Sequence, residues 1–174
     1  QSLIKSKLLD LNEKSRIPKI IAVSKTFKID HILPLIEYGH LDYGENKVQE
    51  AVEKWTDIKL KNNKIRLHLI GKLQTNKVKF AVKVFDYIHS LDNEKLAKKI
   101  AEEQEKQNVK PRVFIQINLG EESQKSGITK NNLSIVPNLG LAGSFSLTPS
   151  YDESKYYSWR NRKIGNISLF FNDK

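Results

Sequence analysis

The sequence has no cysteine, no methionine and no long hydrophobic run. Without cysteine, the chain cannot form a disulfide, a thiolate metal site or a thiol nucleophile, and this composition suits a reducing compartment. A membrane-spanning helix needs roughly 20 predominantly apolar residues, and no segment approaches that length. The first residues, Gln1 to Lys5, also lack the apolar core of a secretion signal. We therefore expect a cytoplasmic protein with no membrane partner.

The missing methionine also bears on completeness. Because the chain begins with Gln1, we expect a fragment, a processed chain or a sequence from which residues are missing. The length of 174 residues suits one domain with a buried core and is too short for two comfortable ones. We predict a single domain over residues 1–174.

Acidic residues are fewer than basic ones, and the formal net charge is +10. Clustered lysine and arginine would attract nucleic acid, because they create a field that favours phosphates. Here the lysines alternate with acidic residues, as along residues 92–108, and no block of five is purely basic. A solvated surface explains most of the excess, so we expect no nucleic-acid partner.

Short apolar runs alternate with helical patterns along the chain. The first run, Ile20 to Val23, is continuous, which is typical of a strand covered on both faces. Predicted strands start near residues 20, 41, 66, 84, 113, 140 and 167. Helices are predicted over 3–11, 30–39, from 48, 75–82, from 92, 131–135 and 152–163.

This alternation predicts a parallel sheet, either an open doubly wound sheet or a (β/α)8 TIM-type barrel. No strand is followed by Gly-x-Gly-x-x-Gly or a Walker loop, which weakens the nucleotide-binding open sheet. The barrel is favoured, although it lacks an eighth strand and is incomplete at its C-terminal end.

In such a barrel, functional side chains lie where the strands end, because the loops that follow converge there. These positions offer lysines and amides but few carboxylates, which disfavours a metal site or a glycosidase. Lys25 follows the first strand and fits Schiff-base chemistry, in which partial desolvation frees an amine to attack an aldehyde. The alternative is that Lys25 is one lysine among many on a basic surface.

The other candidates each have a structural alternative. Asn46 could cap a helix, and His68 could be a core histidine satisfied by one hydrogen bond. Ser90 and Asn118 directly follow apolar strands, so turn or capping roles compete with ligand contact.

The local sequences at these residues resemble those of the pyridoxal phosphate homeostasis family, whose members are single barrels like the N-terminal domain of alanine racemase. The resemblance covers residues 20–127 in family order and spacing, and residues 139–174 diverge. It is carried by Ala22-Val23-Ser24-Lys25-Thr26, by Tyr43 to Glu50, by His68 to Lys77, by Ile88 to Asp92, and by Gln116-Ile117-Asn118 with Lys125-Ser126-Gly127.

The resemblance implies a binding protein for pyridoxal 5'-phosphate (PLP), with a role in vitamin B6 homeostasis and no established catalytic reaction. It implies PLP as a Schiff base on Lys25, with Asn46, His68, Ser90 and Asn118 lining the pocket. Catalytic and metal-binding residues are not expected, and we expect a monomer or a weak dimer.

Two alternatives stay open. One is a PLP-dependent enzyme of the racemase type, and the other is a truncated barrel without cofactor. The second arises because the family's Ser-Met-Gly-Met-Ser-x-Asp and Arg-Ile-Gly segments, expected to hold the phosphate, are not visible after residue 165.

Overall fold

The structure is a computed structural model that describes residue 6 and residues 19–118, 123–129 and 167–169. Residues 167–169 are described by their backbone alone. The strands are β1 (Ala22–Val23), β2 (Asp42–Glu45), β3 (Arg66–Leu69), β4 (Tyr87–Leu91), β5 (Arg112–Asn118), β6 (Ile128–Thr129) and β7 (Ile167–Leu169). The helices are α1 (Ile29–Glu37), α2 (Val48–Lys61), α3 (Val78–Val84, after a 3₁₀ turn over Thr75–Lys77) and α4 (Glu94–Gln107).

Strands β1 to β6 lie side by side in chain order, and each neighbouring pair is parallel. A helix follows each of β1 to β4, which is the connection that parallel neighbours require. This is the alternation that the sequence predicted.

One face of the sheet packs against the helices and forms the hydrophobic core. Tyr43, Leu67, Leu69 and Ile88 point to this face and are fully buried. The ring of Trp55 from α2 packs against Tyr43, with ring centroids 4.7 Å apart. In a (β/α)8 barrel the helices form the outer ring, so this face corresponds to the outside of the barrel wall.

The opposite face, which we call the polar face, carries Asp42, Arg66, His68, Tyr87 and His89. These residues alternate along the strands with the core residues, as a period of two requires. The rings of His68 and Tyr87 stack at 4.3 Å between centroids. The interior of the barrel wall is therefore lined by titratable and aromatic side chains.

Local signals explain the helix ends. Asn93 begins α4 by accepting a hydrogen bond from the Leu96 N–H at 2.9 Å, and Asn108 ends it in the left-handed conformation. Lys28 occupies the N-cap position of α1, and Asp30 lies in the first turn. An acidic residue there still interacts favourably with the helix dipole.

Strand six and strand seven differ from the prediction. The described β6 is Ile128–Thr129, whereas the sixth strand predicted near residue 140 lies outside the described residues. The predicted helices over 131–135 and 152–163 and most of the one over 3–11 also lie outside them. The predicted strand at 167 is present, but it pairs antiparallel with β5. The prediction that the seventh strand is parallel was therefore wrong, because an apolar run indicates a strand but not its direction.

Candidate functional site

The predicted site residues at the ends of β1 and β2 come together at one edge of the sheet. Val23 pairs with Gly44, and Lys25 and Asn46 each follow this pair by two residues along their own segment. Because parallel strands place their C-terminal ends at the same edge, this is where a ligand of the barrel would bind.

Lys25 lies in a tight turn that leaves β1. Its side chain is exposed, so the described residues do not supply the desolvation that we expected. The next residue, Thr26, has a φ of 66°, in the left-handed region. This conformation is rare for a β-branched residue, because its Cβ crowds the backbone. The turn after Lys25 is therefore a strained one.

A buried charge network lies directly beneath this turn. The Glu45 side chain is fully buried, and its Oε1 accepts hydrogen bonds from Ser24 Oγ at 2.8 Å and from Lys54 Nζ and Trp55 Nε1 at 2.9 Å each. Lys54 Nζ also donates to the Ser24 carbonyl at 2.9 Å. A buried charge is stable only when it is paired and hydrogen-bonded, and these donors meet that need at Oε1. Glu45 Oε2 is also buried and has no hydrogen-bond partner among the described residues.

A second carboxylate, which belongs to α2, contacts the same turn. Glu50 Oε1 accepts a hydrogen bond from the Thr26 N–H at 2.9 Å. That bond is the largest cause that lowers the pKa of Glu50 below its usual value. Burial opposes it, and the hydrogen bond and charge of Lys54 lower the pKa further. Glu50 is thus held ionised at the residue that follows Lys25.

Asn46 does not cap a helix, contrary to the structural alternative. Lys47 occupies the N-cap of α2, and within the described residues the Asn46 amide makes no hydrogen bond. Gly71 lies against it, since a Cβ at Gly71 would lie 2.3 Å from the Asn46 carbonyl oxygen. The glycine permits a close backbone approach that leaves the Asn46 side chain available.

Ser90 and Asn118 are both buried at the ends of their strands. The Ser90 hydroxyl has no hydrogen-bond partner among the described residues, which is uncommon for a buried polar group. Asn118 Nδ2 donates to the Lys125 carbonyl at 3.3 Å, so this side chain also holds the loop that follows.

His68 is engaged through both ring nitrogens. Its Nε2 lies 3.1 Å from Asp42 Oδ1, and its Nδ1 lies 3.0 Å from His89 Nε2. A carboxylate can only accept, so Nε2 of His68 donates its proton to Asp42. In the neutral ring Nδ1 then accepts, which makes His89 Nε2 the donor. We call this hydrogen-bonded series of Asp42, His68 and His89 the histidine chain.

The surroundings of the histidine chain keep both rings neutral. Burial lowers the pKa of His89 to about 4, and the charge of a protonated His68 would lower it further. Burial also lowers the pKa of His68, outweighing the opposite effect of Asp42. Burial alone would raise the pKa of Asp42, but hydrogen bonds from Arg66 and His68 lower it. Asp42 is therefore ionised.

The histidine chain runs along the barrel wall toward the site edge. His68 pairs with Gly44 and Tyr87, so His89 lies two residues closer to the C-terminal ends of the strands than this level. Asp42 and Arg66 lie at the opposite end of the strands. Within the part of the chain that the structure describes, His68 is linked toward the C-terminal ends of the strands through its hydrogen bond with His89.

The sequence prediction did not include Asp42, Arg66 or His89 among the site residues. The signal that could have found them is the strand period of two. Asp42 and His89 stand at alternate positions to the core residues Tyr43 and Ile88, which places both on the polar face.

Among the described residues, no helix is long and apolar enough to cross a membrane. That same part of the chain contains no group of three His, Cys, Asp or Glu residues arranged to hold a metal ion.

A family model described as "Alanine racemase, N-terminal domain" matches residues 2–163, which is most of the chain. The chain belongs to the alanine racemase N-terminal domain family. Within that family it belongs with the pyridoxal phosphate homeostasis proteins. It is 35% identical to the one of Buchnera aphidicola over 95% of this chain and 76% of that protein, and 35% identical to that of Pasteurella multocida over 78% and 61%.

Solved structures of this family show the same fold. PipY of Synechococcus elongatus without PLP has a TM-score of 0.67 and 32% identity, covering 78% of this chain and 64% of PipY. The PipY structure with PLP bound has a TM-score of 0.66 and 31% identity, over 79% and 65%. The predicted α/β fold of the alanine racemase N-terminal kind is confirmed. This chain spans about two thirds of the length of PipY.

Proposed function

We propose that this chain binds PLP through Lys25 and takes part in intracellular PLP homeostasis. The observation that carries the proposal is the placement of Lys25 directly after β1, at the edge of a parallel sheet where Val23 pairs with Gly44, two residues before Asn46. The names of the relatives and the PLP in a PipY structure support the choice of ligand.

The residues present fit this ligand. When bound, PLP supplies an aldehyde for a Schiff base and an electron-withdrawing ring. Lys25 would hold PLP through its side-chain amine, which is the nucleophile that such an aldehyde takes. The buried Ser90 hydroxyl is a polar group without a partner among the described residues, and a ligand would satisfy it.

His68 and Asn118 have different roles in this proposal. His68 orients His89 and fixes its donor nitrogen, since both His68 nitrogens are already engaged. Asn118 lines the site from the end of β5 and also holds residues 123–129 through Lys125.

We propose a binding role in the cytoplasm, where PLP is distributed to the enzymes that use it. The relatives are named as homeostasis proteins, which supports a carrier without a catalytic reaction. One observation favours the alternative of a racemase-type enzyme: the histidine chain could relay a proton. Racemisation, however, needs acid–base groups on both faces of the substrate, and the described residues provide one such series.

The experiment is PLP titration of the full chain, followed by borohydride trapping and intact-mass measurement. We expect one PLP on the wild type and none on Lys25→Ala, whereas the control Lys28→Ala, at an exposed lysine in the same segment, binds normally. Trapping on another lysine would contradict the assignment. Racemisation of added amino acids that depends on Lys25 would show the enzyme instead.

A further inference from the structure

Two side chains of α2 hold the backbone on either side of Lys25. Lys54 Nζ donates to the Ser24 carbonyl at 2.9 Å, and Glu50 Oε1 accepts from the Thr26 N–H at 2.9 Å. Lys54 and Glu50 also contact each other at 3.4 Å. The peptide groups before and after Lys25 are thus fixed to one helix.

The turn needs such a restraint because of Thr26. Its φ of 66° is unfavourable for a β-branched side chain, so the free turn would relax to a negative φ. A hydrogen bond from this N–H to a charged carboxylate is stronger than one to a neutral acceptor. The structure thus contains both a strained residue next to Lys25 and a charged group that holds it.

We propose that Glu50 is a positioning residue for Lys25: by holding the Thr26 N–H, it maintains the strained turn that presents the Lys25 amine at the site edge. The inference rests on the proposed function, because in that proposal PLP is the ligand that the Lys25 amine binds. Lys54 supports the arrangement from the Ser24 side and links Glu50 to the buried Glu45 carboxylate.

Glu50 is suited to a test because it can be changed without opening the core. Its side chain is 30% exposed and lies on the helix surface. Glu53, three residues further along α2, is an exposed acidic residue whose described hydrogen bond is with Gln49. Glu53→Ala therefore serves as a matched control, and Glu50→Gln keeps an acceptor oxygen while it removes the charge.

The first measurement needs no PLP. Hydrogen exchange of the Thr26 amide in the full chain should be at least about tenfold faster in Glu50→Ala, because its acceptor is lost, and unchanged in Glu53→Ala. Glu50→Gln should lie between. Equal exchange in Glu50→Ala and wild type would overturn the proposal.

The second measurement is PLP affinity from the absorbance band of the lysine Schiff base, in a double-mutant cycle with Thr26→Gly. We expect Glu50→Ala to weaken PLP binding about tenfold when residue 26 is threonine, because left-handed threonine is then unsupported. With glycine at residue 26 the left-handed turn is freely accessible, so the same change should cost only about twofold.

The outcomes separate the two hypotheses. An equal loss in both backgrounds would show that Glu50 acts other than through the turn and would overturn the proposal. If the wild type binds no PLP while Glu50→Ala still accelerates Thr26 exchange, the proposed function fails and control of the turn by Glu50 stands. Urea midpoints of all variants show whether any loss of affinity is only a loss of folded protein.

Discussion

The buried ion pair of Glu45 and Lys54 offers a sharp test of the structure through the substitution Lys54→Met. The Glu45 side chain is fully buried, and that of Lys54 is 9% exposed. Methionine keeps most of the aliphatic stem of lysine but removes the Nζ that donates to Glu45 and to the Ser24 carbonyl. The substitution therefore leaves a buried carboxylate without its cation.

Removing one partner of a buried pair costs about 3–5 kcal/mol, because the remaining charge is desolvated and uncompensated. Ser24 and Trp55 still donate to Glu45 Oε1, so we expect the lower end, about 3 kcal/mol. With an m value of about 2 kcal/mol/M, the urea midpoint should fall by about 1.5 M. Equilibrium urea unfolding followed by tryptophan fluorescence measures this directly.

A matched control is Lys98→Met, which breaks an exposed pair with Glu94 in α4. Exposed pairs contribute little, and this change should cost less than about 0.5 kcal/mol. Adding Glu45→Gln to Lys54→Met should restore about 1 kcal/mol or more, because it removes the stranded charge. Equal costs for Lys54→Met and Lys98→Met would refute the desolvated pair.

Three further predictions concern pH, close approach and capping. Because burial lowers the pKa of His89 to about 4, the unfolded chain binds a proton near pH 6.5 before the folded one does. The contribution of the neutral His89 to the free energy of unfolding is therefore full above pH 6.5 and is lost as the pH falls toward 4. Between pH 7.5 and pH 5 we expect the free energy of unfolding to fall by about 1 kcal/mol, allowing for solvent screening, and His89→Gln should reduce this fall. Gly71→Ala should cost about 1–3 kcal/mol, because its Cβ would clash with the Asn46 carbonyl. Asn93→Ala should cost about 1 kcal/mol through loss of the α4 cap. Urea unfolding measures all three.

The same measurements have controls. His31→Gln, at an exposed histidine, should keep the pH dependence of the wild type, and an equal response from His89→Gln would contradict the buried histidine. An unchanged urea midpoint for Gly71→Ala would contradict the close approach of this glycine to Asn46. Asn63→Ala, at an exposed position, should be neutral, and a neutral Asn93→Ala would rule out the cap.

The sequence by itself determined the order of elements and the candidate lysine. Continuous apolar runs predicted the parallel strands, and helical spacing of Val48, Ala51 and Trp55 predicted α2. These signals are local, because a helix or strand that is buried on one face carries apolar residues at a regular spacing along its own sequence. The place of Lys25 after β1 followed from the same pattern.

Only the tertiary structure decided what surrounds that lysine. Thr26 and Glu50 are 24 residues apart, and Asp42 and His68 are 26 apart, so no local pattern joins them. Likewise, the antiparallel pairing of β7 depends on the path of the chain and not on its apolar residues. Such contacts arise where strand register and helix packing bring distant residues together. The lysine could therefore be found in the sequence, whereas the strained turn and the carboxylate that holds it required the fold.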